Sequence, residues 1–71
     1  MFIHIVTYHA PNKRDIIEAF STTEKADAFF ERILKRIVPK DTTVSQFEDY
    51  MERLYYHHDD TELTITTVRV K

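Results

Sequence analysis

The chain has 71 residues, ten Lys or Arg against twelve Asp or Glu, no cysteine and no glycine. That length supports a single domain, residues 1–71, with a modest core, and the composition excludes a disulfide framework or a cysteine-based zinc staple. The missing glycine also disfavours nucleotide-loop enzymes, because phosphate cradles and nucleophile elbows need it where backbone meets ligand or takes positive φ.

The net charge of −2 hides a division. Residues 1–40 carry seven Lys/Arg against five Asp/Glu, residues 41–62 one against seven, and residues 63–71 two against none. The acidic segment is therefore the second third of the chain. No apolar run approaches the roughly 18 residues of a membrane span, and the N-terminus lacks the order of a signal peptide. A soluble, cytoplasmic protein without membrane association is the expectation.

Residues 2–10, FIHIVTYHA, are rich in β-branched and aromatic types and read as a strand. Phe2, His4, Val6 and Tyr8 share one face, and Ile3, Ile5, Thr7 and His9 the other, so both faces begin apolar. Pro11, Asn12 and Lys13 make a turn. Residues 14–20, RDIIEAF, return as a second strand whose Arg14, Asp15 and Glu18 fit an edge position.

A helix follows. Ser21 and Glu24 have capping-box spacing, which predicts a helix start near Thr22. Ala26, Phe29, Phe30, Ile33, Leu34, Ile37 and Val38 then fall on one broad stripe, and Pro39 closes the helix. Its polar face runs from acidic (Glu24, Asp27, Glu31) to basic (Arg32, Lys35, Arg36, Lys40), which complements the helix dipole without any ligand.

A second helix starts beyond Lys40, capped by Thr43 with Gln46 or by Ser45 with Glu48. Val44, Phe47, Met51, Leu54 and His58 recur at three and four residue steps, a narrow seam expected to carry the helix through to His58. Residues 62–71, ELTITTVRVK, read as a third strand. The change of phase at Thr66 and Thr67 predicts a bulge or a strand covered on both faces by different partners.

Four histidines invite a metal reading, centred on His57 and Asp60. The competing reading is a helix end, where histidine favours the negative pole, and the spacing of a histidine metal motif is absent. His4 would serve as a general base only with an acid opposite it. No nucleophile, base and orienting group assemble from the sequence, so the expectation is no catalytic residue, no metal ligand and no cofactor.

Residues 20–26, Phe-Ser-Thr-Thr-Glu-Lys-Ala, close a strand that follows VTYHAPNKRD. This arrangement resembles small uncharacterised domains common in phage and bacterial genomes, which begin strand, turn, strand and then F-S-[ST]-x-E-K-A. The resemblance covers about the first half of the chain, with Ala19 where those domains often have glycine. It implies a small accessory protein of a phage or mobile element, acting in the bacterial cytoplasm by binding.

The pattern predicts an α+β fold, two-layer ββααβ, with a three-stranded, mainly antiparallel sheet and both helices on one face. The last strand is expected antiparallel to strand two, or parallel beside strand one. For function, a non-enzymatic protein-binding surface is expected on the second helix: Glu48, Asp49, Tyr50, Glu52, Tyr55, Tyr56, Asp59 and Asp60, suited to a basic host or defence protein that it would inhibit. The alternative is a nucleic-acid-binding regulator using Lys13, Arg14, Arg32, Lys35, Arg36 and Lys40. Self-association as a homodimer, through the second sheet face or the seam of the second helix, would aid a domain this small.

Overall fold

The computed structural model describes residues 1–70. Six elements follow in order: β1 (Phe2–His9), β2 (Ile16–Phe20), α1 (Thr23–Ile37), α2 (Val44–Arg53), β3 (Tyr55–His58) and β4 (Thr61–Arg69). The architecture is α+β, as expected, but the antiparallel sheet has four strands, in the order β2-β1-β4-β3.

The extra strand comes from the segment expected to finish the second helix. That helix stops at Arg53 because Leu54 turns left-handed, φ 54° and ψ 40°, while its amide still donates to the Tyr50 carbonyl. The Leu54 carbonyl then accepts from the Ile65 amide at 3.2 Å, so the chain enters the sheet at once. Tyr55, Tyr56, His57 and His58 pair with residues 61–64 of β4 across the Asp59-Asp60 turn. Aromatic residues suit a pleated, half-buried surface, and here that preference prevails over the helical spacing of Leu54 and His58.

The last strand takes neither expected place. It runs antiparallel to β1 in unbroken register, from Phe2 opposite Arg69 to His9 opposite Glu62, so Thr66 and Thr67 form no bulge. Leu63 and Ile65 share a sheet face with Val6 and Tyr8, whereas Val68 shares the other with Ile3 and Ile5. The phase change is a change of which face carries the apolar residue.

α1 behaves largely as its stripe predicts. Ala26, Phe30, Ile33 and Leu34 are buried, and Phe29, Ile37 and Val38 pack against them half-exposed. The cap sits one residue later than the spacing indicated: Thr22, not Ser21, accepts from the Lys25 amide at 3.3 Å. Both residues are competent caps, and sequence spacing cannot choose between neighbours of the same chemistry. α2 is capped by Thr43 and Gln46 in a reciprocal box.

The core joins Val6, Tyr8, Tyr56 and Leu63 of the sheet to the buried residues of α1. Phe47, Tyr50 and Met51 of α2 pack against the same cluster, so both helices cover one face. With no glycine in the chain, the left-handed positions fall to Asn12 (φ 62°), Leu54 and Asp59 (φ 53°). Asparagine and aspartate tolerate this region best, and leucine there is strained by about 1 to 2 kcal/mol.

Candidate functional site

The eight residues expected to form one Tyr and acidic surface are divided by the fold. Glu48, Asp49 and Glu52 lie exposed on α2, with Asp49 held 3.3 Å from Arg53 one turn later. Asp59 and Asp60 are exposed in the β3–β4 turn, and Asp59 sits 3.4 Å from His58. The tyrosines do not line this face together. Tyr56 is a core residue, 2% exposed, its ring edge-on to half-buried Tyr50 at 4.8 Å. Burial pushes its phenol above the usual tyrosine range, with Tyr50 and Asp59 adding to the shift. Tyr55, its neighbour on the strand, points to the opposite sheet face. A strand sends successive side chains to opposite sides, and reading this segment as helix had placed them together.

The basic residues of the nucleic-acid alternative are also separated. Lys35 and Lys40 flank a groove floored by Val38, Pro39, Val44 and Phe47, with a volume of about 390 Å³. Lys35 is also paired with Glu31 at 3.5 Å. Arg32 lines a different groove with Lys25 and Phe29, and Lys13 and Arg14 belong to the β1–β2 connection.

The histidines are dispersed as well. His4 Nδ1 lies 3.0 Å from the Thr67 hydroxyl, which leaves no carboxylate in the place a general base would need one. His57 and His58 alternate to opposite sheet faces, a correction to their helical placement. His9 Nδ1 lies 2.6 Å from Asp15, and this hydrogen bond, followed by the charge of Asp15, raises the His9 pKa against a small opposing desolvation. Glu62 and Asp60 raise it further. Glu62 is paired across the sheet with both His9 and His57. Among the described residues, no group of three or more His, Asp or Glu converges as a metal site.

A further feature lies on the sheet face away from the helices. Cross-strand register lines up Ile17, Thr7, Thr64 and Tyr55 in one row, Ala19, Ile5 and Thr66 in the next, and Ile3 with Val68 in a third. Ile17 is 67% exposed, Tyr55 45% and Val68 42%. These three rows contain no charged side chain. Among the described residues, the charged side chains of this face gather at one end, where His9, Glu62 and His57 form the adjoining row with Asp15 beside His9. The alternation in RDIIEAF already places Ile17 and Ala19 on one face. Tyr55 could not be found without first assigning β3 as a strand.

No family model, curated protein or solved structure matches this chain. Among the described residues, no helix is long and apolar enough to cross a membrane.

Proposed function

We propose that this chain is a small non-enzymatic protein-binding module that presents the acidic face of α2 to a basic protein partner. The observation that carries the reading is the placement of Glu48, Asp49 and Glu52: all three are exposed on a helix that fully buries none of its ten residues. Asp59 and Asp60 add to the same sign in a turn that follows four residues of strand. Concentrated like charge costs a small domain some self-repulsion, and its physical use is to steer an oppositely charged partner into contact and raise the association rate.

The setting that the helix-start motif at residues 20–26 implies is a phage or mobile-element accessory protein in the bacterial cytoplasm, blocking a host or defence protein. Tyr50 contributes only the part of its ring that packing on the core leaves uncovered, and Tyr56 contributes nothing at the surface.

The test is affinity capture from bacterial lysate with the wild type and with the triple variant Glu48→Lys, Asp49→Lys, Glu52→Lys, read by mass spectrometry. Far-UV circular dichroism establishes that the variant is folded. The variant is expected to lose the partners that the wild type holds at low salt. Identical partner sets would end the proposal.

A further inference from the structure

A four-stranded sheet with helices on one side only leaves a broad face open to water. Isolated apolar residues on a surface are ordinary, but a contiguous patch marks a contact site. Here Ile3, Ile5, Ile17 and Val68 are joined by threonine and tyrosine rather than interrupted by charge. We infer that this uncovered sheet face is a two-fold interface in which the chain pairs with a second copy of itself, sheet against sheet.

Size favours it. β1 and β4 are eight and nine residues long. β2 and β3 add five and four residues. At about 3.3 Å per residue and about 4.8 Å per strand, the sheet offers a footprint on the order of 400 Å². Side chains standing above that plane enlarge the accessible area, so two copies together remove on the order of 1,000 Å² or more, the range where specific interfaces begin.

Chemistry selects the occupant. A two-fold axis sets residues near it against their own copies, so a charged centre would repel itself. The centre of this face is uncharged, and the hydroxyls of Thr7, Thr64 and Thr66 donate as well as accept, which lets them meet themselves. An anionic membrane or a nucleic acid would require unpaired cations around the patch, whereas at the charged end His9 is paired with Asp15 and His57 faces Glu62 across the strands. The seam of α2 is the poorer choice for self-association, because its Phe47 and Met51 already pack on the chain's own core. The benefit to the fold is direct: among the described residues nine apolar side chains are buried in the single copy, and a partner that binds only the folded state stabilises it by mass action.

Sedimentation equilibrium from about 1 to about 200 µM tests the inference, with Thr66→Lys, Ile17→Lys and Glu48→Lys beside the wild type. The wild type is expected at twice the 8.5 kDa chain mass. Thr66→Lys places like charges together at the centre of the interface and is expected to weaken pairing at least about a hundredfold. Ile17 lies on an edge strand and is 67% exposed, so Ile17→Lys leaves the core intact and decides the matter if Thr66→Lys fails to fold by circular dichroism. Glu48→Lys is expected to leave the dimer unchanged, which separates this interface from the acidic α2 surface. A wild type that stays monomeric throughout, a monomer that partitions onto anionic phosphatidylglycerol vesicles, or a dimer indifferent to both sheet-face lysines would each overturn it.

Discussion

Replacing Tyr56 by alanine tests the strand that the sequence did not reveal. In the structure its ring is 2% exposed, packed in the cluster with Leu63 and Phe30 and edge-on to Tyr50. Truncating a buried aromatic costs about 3 to 5 kcal/mol, with an edge-to-face pair contributing about 0.5 to 1.5 kcal/mol of that stability. At the usual stability per residue, a chain this size has roughly 4 to 10 kcal/mol in total. Tyr56→Ala is therefore expected to remove from roughly a third to all of it, leaving a protein that unfolds at clearly lower urea. Tyr55→Ala, one residue earlier on the opposite face, is the internal control. Its ring is 45% exposed, and at a protein concentration low enough to exclude self-association its loss should cost about 1 kcal/mol or less. Tyr56→Phe keeps the ring and should lie near the wild type. Urea unfolding at about 25 °C, followed by far-UV circular dichroism, gives all three values. Equal costs for Tyr55→Ala and Tyr56→Ala, or a Tyr56→Ala cost under about 1 kcal/mol, would refute the inward placement of Tyr56 and with it β3.

Two further outcomes follow from local geometry. Asp59 has φ 53° and a side chain 87% exposed, so Asp59→Gly removes a backbone conflict without touching the core and is expected to stabilise the fold by about 0.5 kcal/mol. A loss of stability in urea would show that the aspartate side chain itself holds the turn. Asp15 raises the His9 pKa above the ordinary histidine value, about 6.5. The folded state therefore favours the protonated ring, and the stability this pair contributes is present below the ordinary value and lost as pH rises through the raised one. Asp15→Asn should lower the His9 titration midpoint in a proton NMR series, and an unmoved midpoint would show that the hydrogen bond is not maintained in solution.

The sequence alone carries β1, β2 from Ile16 onward, α1 and the start of α2, but it leaves the cap open between Thr43 and Ser45 and runs β2 back to Arg14, where the structure has the β1–β2 connection. Each element it carries depends on neighbours within a few residues: a period, a capping side chain, a proline at a boundary. It also placed the acids of α2 outward, since a helical stripe that packs Phe47 and Met51 inward leaves Glu48, Asp49 and Glu52 on the far side. What became of residues 54–58, and where β4 went, depended on partners distant in the chain. Val44, Phe47, Met51, Leu54 and His58 keep helical spacing, while Tyr-Tyr-His-His serves equally as a strand, so local pattern supports both readings. The choice went to the sheet because β4 offers this segment a hydrogen-bonding edge and a core site for Tyr56. A strand's partner is distant in the chain and leaves no periodic mark on it. An uncovered second sheet face is already expected from the sequence, but its rows, and the place of Tyr55 in them, became visible only once the order of the four strands was known.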